Sequence, residues 1–275
     1  MRDSRHRSRN RSATLDQSNN ACIHPKIALA ASVFPKVIIH SGLRARNTHP
    51  FYASAKSGDA DAARVLVETL LSQEETERLA CLLAGRQPIL LPISADEVAG
   101  FNAIPDAMAQ SLALRLSLSV AAGKINQANK VGHTKADGWH RLVTPAVFNG
   151  DVIAGADYVL VDDHVGFGGT LANLRGLIEQ NGGTVIAMTT LTETREARQI
   201  AVRNQTLDML YTKHGSELAD FWNREFGHGL DCLTNIEGEY LCRVESVAAI
   251  KARMAQAAEL ACGRGLSPVS IDSEL

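Results

Sequence analysis

The chain has 275 residues, of which 45% are hydrophobic and 21% charged, and its formal net charge is −2. This length and composition predict a globular protein of one large domain, with or without a small appended subdomain, and the near-neutral charge excludes a global attraction to nucleic acid or to an anionic membrane. No apolar stretch approaches the roughly 18 residues needed to span a bilayer, and the cysteines lack CxxC pairing, so we expect a cytoplasmic protein without a membrane partner, a zinc site or a disulfide framework.

Residues 1–22 form a tail rich in arginine. Polar residues separate these arginines, with almost nothing apolar between them, at positions Arg2, Arg5, Arg7, Arg9 and Arg11. Such a segment cannot bury enough apolar surface to fold, so we expect it to be disordered. A nucleic-acid-binding arm is one interpretation of the arginines, but we favour a solvated tail or a segment translated from an upstream start codon.

Residues 23–86 are predicted to form a mainly helical N-terminal region. Apolar residues recur at helical spacing between Ser54 and Gly85, and the pattern is interrupted near Ser72. This favours either one broken helix or two helices. Gly85 then provides a natural C-terminal stop.

Residues 87–195 alternate between strand and helix patterns. In chain order, the predicted elements are strand 87–94, helix 101–118, strands 144–148 and 157–161, helix 170–181 and strand 184–192. This order predicts an α/β fold with a parallel sheet and flanking helices. Residues 124–141 lack periodicity and are rich in cations and glycine, which predicts a long polar loop that is either functional or a solvated surface loop.

Residues 196–275 return to a helical pattern and form the predicted C-terminal region. Its predicted helices are 196–210, 217–226 and 245–262. In open parallel sheets the ligand crevice lies beyond the carboxyl ends of the strands. The expected site therefore lies in the core, where Asp162 and Asp163 follow a strand.

The most informative run is Tyr158 to Thr170, which reads Tyr-Val-Leu-Val-Asp-Asp-His-Val-Gly-Phe-Gly-Gly-Thr. Asp162 and Asp163 follow an apolar strand, and a glycine-rich turn then opens a helix. Backbone N–H groups of such a turn suit a phosphate, and adjacent carboxylates suit hydroxyls, a cation or a metal ion. A ligand with a phosphate and a polyhydroxylated or metal-bound part satisfies both halves, and the alternative is an ordinary strand-to-helix turn that carries glycines.

This run resembles the signature of the type I phosphoribosyltransferase family, in which an apolar stretch, two acids and four variable residues precede Gly-Gly-Thr. Two further stretches are similar to the competence-protein-like branch of that family, Gly100-Phe101-Asn102 and the basic segment His133 to Arg141. The resemblance covers residues 87–192. It implies a phosphoribosyltransferase-type fold whose acceptor-binding hood is built from residues 40–85 and parts of 205–260.

The resemblance also implies how the run would bind 5-phosphoribosyl-1-pyrophosphate. Asp162 and Asp163 would hold the ribose 2′- and 3′-hydroxyls, take part in catalysis and bind Mg²⁺, directly or through water. The turn would wrap the 5′-phosphate with Gly166, Phe167, Gly168, Gly169 and Thr170.

Other matching residues would surround the diphosphate. Ser94 and Ala95, after the first strand, would form the pyrophosphate loop. The flexible loop would close over the site with the catalytic cations Lys135 and Arg141, or with His140, near the diphosphate. A closing loop is needed because water would otherwise hydrolyse the reactive cation.

The implied function is Mg²⁺-dependent transfer of the 5-phosphoribosyl group between diphosphate and a nitrogenous base, a glycosyltransferase reaction of nucleotide salvage or related metabolism. The expected partners are 5-phosphoribosyl-1-pyrophosphate, a base or nucleotide and a second copy in a homodimer. Gly166 and Phe167 replace two threonines usual in the family, so two hydroxyl donors to the phosphate are missing. This departure favours the alternative, a non-catalytic protein of the same fold that binds a nucleotide or the sugar diphosphate.

Overall fold

The computed structural model describes residue 26 and residues 36–93, 96–97, 100–121, 125–131, 137–194, 197–269 and 271. The predictions for residues 1–22, for Ser94 and Ala95 and for Lys135 lie outside these residues. In chain order, the elements are β1 (Ile38–Ile39), α1 (Ala45–Thr48), α2 (Tyr52–Lys56), α3 (Ala60–Leu70), α4 (Gln73–Leu83), β2 (Ile89–Pro92), β3 (Asp96–Glu97), β4 (Gly100–Phe101), α5 (Ile104–Leu116), β5 (Ser119–Val120), β6 (Ile125–Gln127), α6 (Gly138–Val143), β7 (Phe148–Gly150), β8 (Asp157–Val165), α7 (Gly169–Gln180), β9 (Thr184–Glu193), α8 (Asn204–Phe226), a short 3-10 helix (Leu230–Cys232), α9 (Asn235–Cys242) and α10 (Val247–Gly263).

A five-stranded parallel sheet lies at the centre of the protein. Its strands follow the order β1-β9-β8-β2-β5, and each neighbouring pair is parallel. The long strands β8 and β9 are paired from Asp157 opposite Thr184 to Val165 opposite Glu193. Helices flank this sheet, which confirms the predicted α/β class.

Both faces of the sheet are buried, as the sequence of β8 requires. Side chains alternate along a strand, so Tyr158 and Leu160 pack in one hydrophobic cluster with α7, while Val159 and Val161 pack in another with α3 and α5. Continuous apolar runs of this kind are typical of parallel strands covered on both faces. This packing fixes the position of β8 in the sheet, and with it the positions of Asp162 and Asp163, which follow in the chain.

The interruption near Ser72 separates two helices. The Ser72 hydroxyl accepts a hydrogen bond from the backbone N–H of Glu75 and caps the N-terminus of α4. After α4, Ala84 and Gly85 have left-handed φ values of 50° and 80°. The break predicted near Ser72 and the stop predicted at Gly85 are therefore confirmed, although α2 adds a short helix before α3 that neither alternative contained.

The strand predicted at 144–148 is wrong. Strand β7 begins only at Phe148, and it pairs antiparallel with β6 outside the central sheet. The Asn129 side chain donates to the carbonyl of Pro145 at 2.9 Å and accepts from the N–H of Val147 at 2.8 Å. These backbone groups are thus satisfied without a strand partner.

The prediction of one continuous loop over 124–141 also needs correction. The segment contains β6 and the first four residues of α6, and residues 124 and 132–136 lie outside the described part. Helix α6 begins where it does because the Asp137 side chain accepts from the backbone N–H of His140 at 2.8 Å.

The C-terminal region is helical, but its boundaries differ from the prediction. The helices predicted at 196–210 and 217–226 both overlap α8, which begins at Asn204 and is broken at Gly215 by φ 61° and ψ −158°, so the described residues 197–203 of the first prediction are not helical. The helix predicted at 245–262 is confirmed as α10, whereas no pattern predicted α9 or β1. None of the helices in the described parts of the chain has the length and apolar character needed to cross a membrane.

Candidate functional site

Asp162 and Asp163 lie within β8 and not after it. The sequence predicted that the strand ends at Val161, but pairing with β9 continues, with Asp162 opposite Thr190, and β8 reaches Val165. Because successive side chains of a strand point to opposite faces, the two carboxylates have different surroundings.

The Asp163 carboxylate is buried and contacts two cations. Its Oδ2 lies 2.5 Å from Nη1 of Arg46 and 3.3 Å from Nζ of Lys56, side chains that α1 and α2 supply. Burial by itself raises the pKa of Asp163, but the charges of Lys56 and Arg46 outweigh it and hold the pKa well below its usual range. Asp163 is therefore ionised at neutral pH.

The Asp162 carboxylate has the opposite electrostatic character. It is partly buried, and its Oδ1 accepts a hydrogen bond from the backbone N–H of Asp163 at 2.8 Å. Burial, and after it the negative charge of Asp163, raises the pKa of Asp162 well above its usual range. Neighbouring carboxyl groups whose pKa values are driven apart suit a site in which one is charged and the other can carry a proton.

His164 lies between the acid pair and the turn. Its Nδ1 is 2.9 Å from Oγ1 of Thr192, and its Nε2 is 3.1 Å from Oγ1 of Thr194. Burial lowers the pKa of His164 to about 4, and the charge of Arg46 acts in the same direction. The imidazole is therefore neutral at physiological pH and adds no charge to the site.

The glycine-rich turn connects β8 to α7 at the carboxyl edge of the sheet. Gly168 has a φ of 82°, and a Cβ there would lie 2.7 Å from Cδ1 of Ile200, so the position needs glycine for both conformation and space. Helix α7 begins at Gly169, and among the described residues no side chain caps its N-terminus. An uncapped helix N-terminus attracts anions, and the phosphate at this turn stays a prediction.

The Arg141 guanidinium lies against the first glycine of the turn. A Cβ at Gly166 would lie 3.3 Å from Nη1 of Arg141, and the guanidinium carbon is 5.8 Å from the centre of the Phe167 ring. Burial lowers the pKa of Arg141, although an arginine stays charged in proteins. A cation thus occupies the space that a larger side chain at position 166 would enter.

Helix α9 and the residue before it cover the outer side of the turn. The Thr234 hydroxyl donates to the carbonyl of Phe167 at 2.6 Å. A Cβ at Gly169 would lie 2.8 Å from Oε1 of Glu237, and that carboxylate pairs with Lys26 at 2.6 Å. Because Lys26 balances the charge of Glu237, this carboxylate does not oppose an anion at the start of α7.

The structure brings most of the predicted site residues together. Asp162, Asp163, Arg141 and the turn residues meet at one edge of the sheet. Arg46 and Lys56 were not predicted as site residues, although both lie in residues 40–85, which the resemblance assigned to the hood, and their only individual signal was positive charge. What each residue binds stays a prediction.

No protein-family model matches the chain. Among curated proteins, it is similar to Protein TraN of Escherichia coli, with 42% identity over 231 residues that make up 84% of this chain and 51% of that protein. It is also 39% identical over 145 residues to an uncharacterized protein of Haemophilus influenzae, which is 53% of this chain and 32% of that protein. The chain therefore spans about half the length of the first relative (51%) and about a third of the second (32%).

Solved structures that resemble the chain include two adenine phosphoribosyltransferases. One aligns with a TM-score of 0.31 and 13% identity over 49% of this chain and 77% of that chain. The other, from Thermoanaerobacter pseudethanolicus, aligns with a TM-score of 0.28 and 23% identity over 49% of this chain and 70% of that chain. Scores this low assign no role to the residues of this chain.

Proposed function

We propose that the protein binds 5-phosphoribosyl-1-pyrophosphate at the carboxyl edge of β8 and transfers its phosphoribosyl group to a nitrogenous base. The observation that carries this proposal is the juxtaposition of Asp162 and Asp163 with the uncapped N-terminus of α7 in one strand-turn-helix unit. Carboxylates accept hydrogen bonds from ribose hydroxyls, and the turn with the helix N-terminus suits the 5′-phosphate.

Within this proposal, positively charged side chains bind both ends of the ligand, the 5′-phosphate and the diphosphate. Arg141 lies beside Gly166 and adds positive charge to the phosphate turn, where the hydroxyls of the usual threonines are missing. The roles predicted for Ser94, Ala95 and Lys135 at the diphosphate fall outside the described residues and stay predictions. A type I phosphoribosyltransferase of this kind would use these groups to orient the ligand and exclude water.

The proposed reaction separates charge at C1 of the ribose. As the bond to diphosphate breaks, positive charge develops on the ribose ring and negative charge on the leaving group, and a nitrogen of the base then bonds to C1. In this proposal the Asp163 carboxylate offsets part of the positive charge on the ring, and its pairing with Arg46 and Lys56 limits that effect. A proton lost from the base can pass to a carboxylate of the acid pair.

The surroundings of this acid pair disfavour direct coordination of the expected Mg²⁺. Mg²⁺ prefers carboxylate oxygens, but Oδ2 of Asp163 already contacts Arg46 and Lys56, and burial raises the pKa of Asp162. Within the described part of the chain, no group of three or more His, Cys, Asp or Glu side chains could hold a metal ion. These residues do not fit a directly coordinated Mg²⁺, so no step is assigned to it, and a metal bound through water stays a prediction.

Replacing both acids tests the binding half of the proposal. We expect Asp162→Asn combined with Asp163→Asn to weaken the binding of ribose 5-phosphate at least about 100-fold in calorimetry, because both carboxylate acceptors are lost. Asp151→Asn, at an exposed acid outside the site, is the matched control. Circular dichroism must show that the double variant is folded, and unchanged affinity in that folded variant would contradict the site assignment.

A non-catalytic nucleotide-binding or sugar-diphosphate-binding protein is the second candidate. The observation that favours it is the pairing of Asp163 with Arg46 and Lys56, together with the absence of hydroxyl groups at Gly166 and Phe167. Incubation with the sugar diphosphate, Mg²⁺ and a panel of bases separates the two candidates. Released diphosphate supports the transferase, whereas binding without release supports the non-catalytic protein.

A further inference from the structure

Lys26 and Glu237 form a buried ion pair beside the glycine-rich turn. Nζ of Lys26 lies 2.6 Å from both Oε1 and Oε2 of Glu237, and the two side chains are only 8% and 4% exposed. Taking two charges out of water costs free energy, and their mutual attraction often does no more than offset that cost. Stability alone therefore does not explain why this pair is buried at the turn.

The carboxylate of this pair lies at the start of α7. A Cβ at Gly169, the first residue of α7, would lie 2.8 Å from Oε1 of Glu237 and 3.8 Å from Nζ of Lys26. A carboxylate at a helix N-terminus normally accepts hydrogen bonds from the free backbone N–H groups there. Among the described residues, however, no side chain caps α7. Glu237 thus lies beside this helix end without capping it.

Other donors occupy the oxygens of Glu237. Oε2 accepts a hydrogen bond from the backbone N–H of Thr234 at 2.9 Å, within the capping box of α9. For Oε1, Lys26 is the only hydrogen-bond donor in the described part of the chain. Loss of Lys26 would leave the charge of Glu237 uncompensated and free Oε1 to accept from α7. A negative charge at this position repels a phosphate at the same helix end.

The neighbouring titratable groups do not replace the charge of Lys26. The imidazole of His228 is neutral at physiological pH, because burial lowers its pKa to about 4 and the charge of Lys26 acts in the same direction. Asp231, whose charge also acts on this imidazole, is negative. Within the described part of the chain, Lys26 forms the only ion pair of Glu237. The neutrality of the turn's outer side therefore depends on Lys26.

We infer that Lys26 is a positioning residue of the glycine-rich turn: it holds and neutralises Glu237, and so keeps the N-terminus of α7 open to the phosphate of the ligand. Without Lys26, the Glu237 carboxylate caps α7 and excludes that phosphate. This inference rests on the proposed function, which places the 5′-phosphate at the turn. It makes the affinity of the site depend on a residue that lies upstream of the whole core in the chain.

Calorimetry with ribose 5-phosphate tests the inference on the full chain. Lys26→Met removes the charge and keeps an unbranched side chain, and it is expected to weaken binding at least about tenfold. Adding Glu237→Gln removes the uncompensated carboxylate, while glutamine still serves a capping box, so this double variant should bind within about threefold of the unmodified protein. Lys251→Met, which removes the lysine of a partly exposed ion pair with Glu217, is the matched control and should keep full affinity.

The rescue by Glu237→Gln separates this role from a direct contact between Lys26 and the phosphate. If Lys26 contacts the phosphate, the double variant will bind as weakly as Lys26→Met does, and that result overturns the inference. Hydrogen exchange of the ligand-free proteins gives a second readout. The amides of Gly169 and Thr170 are expected to exchange more slowly in Lys26→Met than in the unmodified protein, because Glu237 then caps α7, and unchanged exchange also overturns the inference.

Two variants keep the test decisive if circular dichroism shows that Lys26→Met does not fold. Glu237→Gln alone and the double variant both lack the carboxylate, so each is expected to bind ribose 5-phosphate at least as tightly as the unmodified protein, within about threefold. Such binding supports the inference, since Lys26 is then needed only while Glu237 is charged. A loss of about tenfold in either variant overturns it.

The outcomes also separate this inference from the proposed function. Unchanged affinity in folded Lys26→Met overturns the inference, even when the protein releases diphosphate from the sugar diphosphate in the presence of a base. An affinity that depends on Lys26 but not on Asp162 and Asp163 contradicts the proposed function, and the role of Lys26 stands. If the unmodified protein does not bind ribose 5-phosphate, both fail.

Discussion

The two halves of the candidate site are held in place by different interactions. The residues that make these interactions precede the core in the sequence for one half and follow it for the other. The acid half, Asp162 and Asp163, contacts the cations of α1 and α2, which precede the core. The turn half, residues 166–170, is covered by Thr234 and α9, which follow it. The acid half therefore depends on charge compensation, whereas the turn half depends on close packing and backbone conformation.

Acidification tests His164, which lies between the acid half and the turn half, and it has the largest expected effect on the free energy of unfolding. Burial lowers the pKa of His164 to about 4 in the folded protein, while an unfolded histidine titrates near 6.5. Between these values the unfolded state binds a proton that the folded state does not, so His164 alone lowers the free energy of unfolding by at most about 3 kcal/mol as pH falls from about 6.5 to about 4, in addition to the similar effect of His40 and His228. His164→Gln, compared with the unmodified protein by urea denaturation at several pH values, should show a smaller decrease, and an identical pH profile would contradict this assignment.

Adding a methyl group at Gly168 tests whether close packing stabilises the turn half. Gly168→Ala is expected to lower the free energy of unfolding by about 2 kcal/mol, since a left-handed backbone disfavours alanine and the new Cβ would meet Ile200 at 2.7 Å. Gly182→Ala is the matched control, because Gly182 has the same φ of 82° but lies away from the site, with a Cβ contact of 3.3 Å to Ala154.

The two alanine variants should also differ in ligand binding. Gly168→Ala is expected to weaken ribose 5-phosphate binding in calorimetry, because the backbone N–H groups of the turn shift, whereas Gly182→Ala keeps the affinity. Equal loss of stability with unchanged binding in both variants would show that the turn does not contact the ligand.

Arg141 adds charge to the half that otherwise depends on packing, and its removal has the smallest expected effect. Arg141→Gln should weaken ribose 5-phosphate binding about tenfold, equivalent to about 1.4 kcal/mol, and the weakening should shrink at high salt, where charge is screened. Arg264→Gln, at an exposed arginine at the end of α10, is the control. Equal affinities for the two variants would remove Arg141 from the site.

Much of the core could be predicted because its signals are local. The apolar run of β8, the cap at Ser72 and the turn glycines act through neighbouring residues in the chain, and the structure has a strand, a helix start and a tight turn at these places. The strand predicted at 144–148 failed because Asn129 satisfies its backbone groups from a distant position. Local patterns carry no information about such a partner.

The sequence by itself determined the parallel α/β core and the order of acids, turn and helix in the run from Tyr158 to Thr170, because strand burial and turn conformation depend on adjacent residues. Only the tertiary structure decided the electrostatic state of that run. It placed Arg46 and Lys56 on Asp163, Arg141 against the turn and α9 over it. The physical reason is that charge compensation and steric cover act through space, between groups that the chain separates by many residues.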